Sequence, residues 1–289
     1  MSSFAPPPPS AAAPAAAAWQ GTNAVFVFVS DTHGLHDRIA TVPPGDVLVH
    51  CGDFSDRGSE KQIRGVLDWM ARQPHKYKLM IAGNHDMTLD PAKVPLPETC
   101  RDLMRDALSS HGVHYLLDTA VTLDFGGHGR SLTIWGSPWQ PEFCAWGFNL
   151  PRGAALAEKW ALIPPWPAID VLLTHGPPQG VLDFVPHSGS FAGCEALLAD
   201  LHRTRPRLHA FGHIHEGYGV FKSPASISTP APSSALPPST LFVNASSCTG
   251  LYECTNLPIV CSVPFDKALP AECLSRLPSA SPQTALRRP

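Results

Sequence analysis

The chain has 289 residues, 44% of them hydrophobic, and a net charge of −3 with the histidines neutral. That is room for one large domain or two small ones with a sizeable core, and it excludes the strongly basic field with which a general nucleic-acid binder holds a polyanion. No run approaches the roughly 18–20 apolar residues of a membrane-spanning helix, and the eight cysteines form no C-x-x-C pair of the kind found in zinc fingers or thioredoxins.

Residues 1–22 are rich in Pro, Ala and Ser and read as a disordered leader. The apolar stretch Ala11–Ala18 does not fit a signal peptide, because no Lys or Arg precedes it and Pro14 interrupts it. A cytoplasmic protein with reduced thiols is therefore expected. The folded domain is expected over 23–265. It opens with Ala24–Val29, a continuous apolar run suited to a strand covered on both faces. Runs of the same kind follow at Asp46–His50, Lys78–Ile81, Ile169–Thr174 and Leu208–Phe211.

Helical spacing marks Glu60–Gln73, Pro97–Ser109 and Phe191–Arg203. Shorter strands bounded by turn residues are expected at Ala120–Phe125, Ser131–Trp135, Tyr218–Lys222, Leu241–Asn244 and Pro258–Val263. A Pro/Ser/Ala-rich insertion at about 223–239 reads as a solvated loop, and 266–289 as a loose tail. The sum is an α/β domain with one or two sheets covered by helices.

Each of the five apolar runs ends in a polar cluster: Asp31 and His33, Asp53, Asn84 with His85 and Asp86, His175, and His213 with His215. Sites in α/β sheets form at the carboxyl ends of strands, so neighbouring strands would bring all five clusters together. Carboxylate, amide and imidazole donors suit Mn, Fe, Zn or Co. Their number exceeds what one ion needs, and a shared carboxylate would join two ions roughly 3.5–4 Å apart. Gly34, Gly52, Gly83, Gly176 and Gly212 flank these residues and permit tight turns.

The blocks Asp31-Thr-His33, Gly52-Asp-Phe-Ser-Asp-Arg-Gly58, Gly83-Asn-His-Asp86, His175-Gly176 and Gly212-His-Ile-His215 resemble, in order, those of the calcineurin-like metallophosphoesterase superfamily. Gly147–Gly153, Thr174–Pro178, His215–Gly219 and Asn244–Ser246 are further similar to its MPPED (metallophosphoesterase-domain-containing) subfamily, which includes phosphodiesterases of cyclic nucleotides. The resemblance implies a four-layer αββα sandwich of two mixed sheets flanked by helices, with a dimetal site at the strand ends. It implies two divalent ions, manganese first. Asp31, His33 and His215 would hold one; Asn84, His175 and His213 would hold the other; Asp53 would bridge them.

The resemblance also gives His85 the phosphate and the leaving group, with Asp86 orienting it, and Asn84 a place beside the substrate. The implied reaction is hydrolysis of a phosphodiester, of nucleotide or cyclic-nucleotide type, by water held and activated between the ions. Some mammalian members carry glycine at the position of His213, which weakens the second metal site; fuller loading is expected here. Arg57 matches an arginine that contacts phosphate in phosphoprotein phosphatases, and a plain surface arginine is the other reading.

Asn149 and Arg152 either line the cleft or begin a helix with Pro151 in its first turn. Trp135, Trp139 and Trp146 either stack on a base or fill the core. The partner is a small phosphoester. Competing functions are a phosphomonoesterase or protein phosphatase, a nucleotide-binding scaffold and, with less support from the charge, a nuclease. Oligomeric state is not legible.

Overall fold

The computed structural model describes residues 21–93, 98–223 and 239–277. Residues 1–20 of the leader expected over 1–22, the body of the 223–239 insertion and the end of the tail from 278 lie outside the described residues. Among the described residues no helix is long and apolar enough to cross a membrane.

In chain order the strands are β1 (Asn23–Val29), β2 (Val47–His50), β3 (Tyr77–Met80), β4 (Val113–Tyr115), β5 (Thr119–Asp124), β6 (Ser131–Ser137), β7 (Gln140–Pro141), β8 (Asn149–Leu150), β9 (Val171–Thr174), β10 (Phe184–Val185), β11 (Ser190–Phe191), β12 (Leu208–Phe211), β13 (Gly219–Lys222), β14 (Leu241–Asn244), β15 (Ile259–Pro264) and β16 (Glu272–Cys273). The helices are α1 (Glu60–Ala71), α2 (Glu98–Arg105), α3 (Ala107–His111), α4 (Ala154–Trp160) and α5 (Glu195–Thr204).

Two six-stranded mixed sheets form, in the orders β16-β15-β1-β2-β3-β4 and β13-β14-β12-β9-β6-β5. In the first, β1 to β4 run parallel; in the second, β6, β9, β12 and β14 do. Strand alternation explains the layers. Phe26, Phe28, Val47, Val49, Leu79 and Ile81 point from the first sheet into a shared core with Ile134, Val171, Leu173, Leu208 and Val243 of the second. The intervening residues Val27, Val29 and Leu48 pack with Ile63, Val66, Leu67 and Met70 of α1, and Leu172 packs with Trp160 of α4 and Leu197 of α5. The result is the expected αββα sandwich, and the apolar runs are apolar throughout because both faces are covered.

Four expectations need correction. The helix expected over Pro97–Ser109 is two helices, with a break at Asp106 (φ −93°, ψ 0°), where Ser109 and Ser110 hydroxyls donate to the Asp106 carbonyl. The helix expected from Phe191 begins at Glu195, because Ala192 N and Gly193 N are drawn onto Asp183 and Ser190–Phe191 pairs with β10. Pro151 is not in a first helical turn: Asn149–Leu150 is a strand, and α4 starts after the left-handed Gly153 (φ 91°). The stretch after Phe265 is not loose as far as residue 277. β16 pairs with β15, Ala271 is buried, and the buried Arg207 donates to the carbonyls of Pro264, Asp266 and Leu269 while pairing with Asp170 at 2.8 Å.

Candidate metal centre

Parallel order places the ends of β1, β2 and β3 side by side in one sheet, and those of β9 and β12 side by side in the other. The loops that follow are laced together by backbone. Asp31 N donates to Gly52 O at 2.9 Å, His33 N to Asp53 O at 3.0 Å, and Gly212 N to His175 O at 2.9 Å. Asp31 joins the two sheets directly, accepting from His213 N at 3.0 Å and from Ser246 Oγ at 2.9 Å.

All seven candidate ligands meet here. Asp31, His33 and His215 form one group of converging donor atoms, and Asp53, His175 and His213 form a second; within each group the atoms lie within 4.8 Å of one another. Asp53 also groups with His33 and His85. Asn84 completes the second group, its Oδ1 3.0 Å from His175 Nε2.

The backbone is strained where it turns these side chains inward. Asp31 (φ 51°), His33 (φ 44°), Asp53 (φ 53°) and His213 (φ 66°) all occupy the left-handed region, where bulky residues are uncommon. The flanking glycines meet the expectation of tight turns only in part. Gly34 and Gly52 are left-handed, whereas Gly83 and Gly212 are required for close approach. A Cβ on Gly212 would lie 2.0 Å from Asp31 Oδ2, and one on Gly83 would lie 2.3 Å from Asp53 Oδ1. Gly212→Ala is therefore expected to displace Asp31, lower stability by about 1–3 kcal/mol and reduce bound metal. Thermal melting with elemental analysis checks this; an unchanged melting point and metal content would refute the packing account.

Hydrogen bonds orient the imidazoles. His175 Nδ1 faces Cys51 O and His215 Nδ1 faces Thr249 O, both at 2.9 Å, so each ring donates to a carbonyl and turns Nε2 toward the centre. His33 Nε2 and His215 Nε2 stand 3.3 Å apart and share a hydrogen bond, two ring nitrogens brought to one point. Burial lowers the His175 pKa, but the Asp53 carboxylate outweighs it and lifts the ring to about 9. At His215 burial is likewise outweighed, by Asp31, giving about 9. Burial favours the neutral form of Asp31, yet His215, His175 and His33 hold it well below the usual carboxylate range; Asp53 is held at about 2 against burial, chiefly by His175. Burial keeps His213 neutral, at about 3.

These shifts predict a linkage. With pKa values of about 9, His175 and His215 are protonated at pH 7–8, and a cation needs their neutral Nε2. Loading should release protons and weaken as pH falls. Calorimetry in buffers of different ionisation enthalpy measures this, and loading without proton release would contradict it.

His85 lies at the rim. Its backbone N–H donates to Asp53 Oδ1 at 2.7 Å, and its ring Nδ1 faces the Asp56 carbonyl at 3.0 Å. Asp86 does not hold that ring as expected. It is buried and accepts from Asp53 N, Gly83 N, Ser55 N and Ser55 Oγ at 2.6–3.0 Å. Burial and Asp53 push the Asp86 pKa up, to about 8. All four partners are donors, however, so we read the group as the ionised acceptor that cages the Asp53 and Gly83 turns.

The tryptophans separate. Trp135 and Trp139 are core, Trp139 Nε1 donating to Asp118, whereas Trp146 stacks on His85 with ring centres 4.0 Å apart. The exposed Arg57 lies over the Trp146 ring, 5.1 Å from its centre. Arg152 serves as a strut, donating to Ala192 O and Gly193 O and pairing with Glu195. Asn149 donates to Phe143 O and Cys144 O, fixing the turn before Trp146. Asn244, within a glycosylation-like sequon, is buried and donates to Ile214 O.

Two rim residues carried no sequence signal. Tyr252 packs edge-on against His33 at 4.8 Å, and Phe143 lies 6.0 Å from His213. An aromatic beside no motif cannot be told from any other surface aromatic without the fold.

Comparison with known proteins agrees with this geometry. A family model described as calcineurin-like phosphoesterase matches residues 24–217. Metallophosphoesterase domain-containing protein 1 of Homo sapiens is 42% identical over 255 residues, covering 83% of this chain and 71% of that protein, and the Mus musculus protein gives the same values. Among solved structures, phosphopantetheinyl hydrolase (PptH) from Mycobacterium tuberculosis matches with a TM-score of 0.51 at 16% identity, covering 91% of this chain and 99% of that one, a likeness of fold alone. The fold family implies divalent metal ions, and facing imidazole nitrogens with buried carboxylates between them fit such ions. With its motifs, its two-sheet sandwich and this donor set, the chain belongs to the calcineurin-like phosphoesterase family, whose chemistry is metal-dependent hydrolysis of phosphoesters.

Proposed function

We propose that the protein is a two-metal phosphodiesterase acting on small nucleotide-type esters, cyclic nucleotides among them. The observation that carries this reading is the chain of donor groups, in which Asp53 stands both with His175 and His213 and with His33 of the first group, with His85 and Trp146 at the rim. Asp31, His33 and His215 would hold one ion, Asn84, His175 and His213 the other, and Asp53 would serve both. When bound, such a pair supplies Lewis acidity and an activated water nucleophile, manganese being the first candidate.

The chain's own groups do the rest. With Nδ1 anchored on the Asp56 carbonyl, Nε2 of the protonated His85 ring is the atom left to donate a proton to the departing ester oxygen, Nδ1 keeping its own. Asp86 acts indirectly, by fixing the turns that carry Asp53 and His85. Arg57 and Trp146 present a cationic and an aromatic surface suited to a phosphate and a base.

The test is a matrix of metals (Mn, Fe, Zn, Co) against cyclic nucleotides, bis(p-nitrophenyl) phosphate and p-nitrophenyl phosphate. We expect the highest turnover with manganese and at least a tenfold preference for diesters. A monoester preference would reassign the protein as a phosphomonoesterase, and no cleavage at all as a binding scaffold.

A further inference from the structure

Four of the eight cysteines stand in two cross-strand pairs. Cys248 faces Cys254 across an isolated antiparallel bridge, and Cys261 faces Cys273 between β15 and β16. Thr249 N donates to Glu253 O at 2.9 Å beside the first pair, which makes it a non-hydrogen-bonded position, where facing side chains come closest. Cα atoms at such positions are about 4.5 Å apart, inside the span of about 4.4–6.8 Å that a disulfide bridges. The facing thiols bias each other, Cys254 pushing the Cys248 pKa up and Cys248 drawing the Cys254 pKa down.

The pair is asymmetric, with Cys248 buried and Cys254 partly exposed. The segment between them touches the metal centre twice. The Thr249 carbonyl accepts from His215 Nδ1 at 2.9 Å, and the Tyr252 ring lies 4.8 Å from His33 and 5.3 Å from His215.

We propose that Cys248 and Cys254 are a reversible oxidation site, closed to a disulfide by a low-molecular-weight disulfide such as oxidised glutathione, and that closure acts on the metal centre through Thr249 and Tyr252. Cys254 loses its proton, and the thiolate attacks one glutathione sulfur, breaking the S–S bond and releasing one glutathione thiolate. Cys248 then loses its proton to solvent and attacks the Cys254 sulfur, forming the protein disulfide and expelling the second glutathione. Two protein thiols are oxidised and one small disulfide is reduced to two thiols.

Exposure and geometry set the order of attack. Cys254 is the accessible member, and the facing Cys248 thiol draws its pKa down. An S–S bond of about 2.05 Å draws together two sulfurs that are free thiols on facing positions. The ends of the Thr249–Glu253 turn are pulled inward, which moves the carbonyl that orients His215. Cys261 and Cys273 have the same cross-strand geometry, Leu274 N donating to Val260 O at 2.8 Å beside them, but their strands carry none of the candidate ligands. They form an internal comparison.

The experiment uses the full-length, metal-loaded protein in glutathione buffers of rising oxidised fraction, quenched with N-ethylmaleimide and mapped by peptide mass spectrometry. A cross-linked Cys248–Cys254 peptide is expected, and Cys248→Ser should retain glutathione on Cys254. Hydrolysis of bis(p-nitrophenyl) phosphate should fall at least threefold on oxidation and recover with dithiothreitol. Cys254→Ser should have ordinary basal activity and no response, and Cys273→Ser should respond as the parent does. Absence of the cross-linked peptide at every ratio overturns the site. A cross-link with unchanged hydrolysis, or a response that survives Cys254→Ser, overturns its coupling to the centre. The peptide map stands apart from the phosphoesterase reading, so a protein inactive before oxidation counts against that reading while the map still decides the site.

Discussion

Replacing Asp53 by Asn is expected to lower kcat at least roughly 1,000-fold, about 4 kcal/mol of barrier at 1.36 kcal/mol per tenfold. Asp53 belongs to two of the three donor groups, and its Oδ2 lies 3.3 Å from His175 Nε2. It is also the acceptor that fixes the His85 backbone, through Oδ1 at 2.7 Å. An amide can keep that second contact through its one remaining oxygen, but it removes the negative charge the two sites share. Folding should survive, because the Asp53 N–H bond to Asp86 is made by backbone and is untouched. Elemental analysis should fall from two ions per chain toward one or none, with circular dichroism unchanged. A variant that retained two ions and more than a tenth of the parent turnover would rule out Asp53 as the shared ligand.

His85→Ala is expected to give the complementary result: both ions retained, with kcat down roughly 100- to 10,000-fold, the range general acid catalysis supplies. The structure makes this a sharp test, because His85 also groups with His33 and Asp53 closely enough to bind a cation itself. If the variant lost an ion, His85 would be a ligand and not the proton donor. Substrate choice separates the roles further. An ester whose leaving group departs without a proton, such as a p-nitrophenyl diester, should lose less than an alkyl diester if His85 acts on the leaving oxygen. Trp146 contributes through the same ring, stacked at 4.0 Å, and limits how far the imidazole can swing.

Much of this site was legible along the chain. The continuous apolar runs identified the central strands, since only strands covered on both faces dispense with polar alternation. A ligand-bearing cluster after each run identified the centre, because parallel order places every such loop at one end of a sheet. Local rules failed where side chains from other segments overrode them. Asp183 pulls the start of the expected Phe191 helix into another path, and Arg207 gathers three carbonyls and orders the segment after Phe265. Periodicity carries no trace of either contact.

The donor inventory, its order and an α/β domain with helix-covered sheets were thus determined by the sequence alone, through residue chemistry and spacing within each strand and its loop, while the four-layer αββα order was implied by the family resemblance of the motifs. Tertiary structure decided how the donors are shared and aimed. His33 and His215 meet at 3.3 Å across 182 positions, the Asp56 carbonyl and not Asp86 holds the His85 ring, and Tyr252 and the Cys248–Cys254 pair arrive at the centre from a turn that has no motif of its own. The physical reason is range. Backbone conformation and burial repeat over a few residues and leave a pattern, whereas contacts between distant segments depend on sheet order, register and loop path, which no single segment encodes.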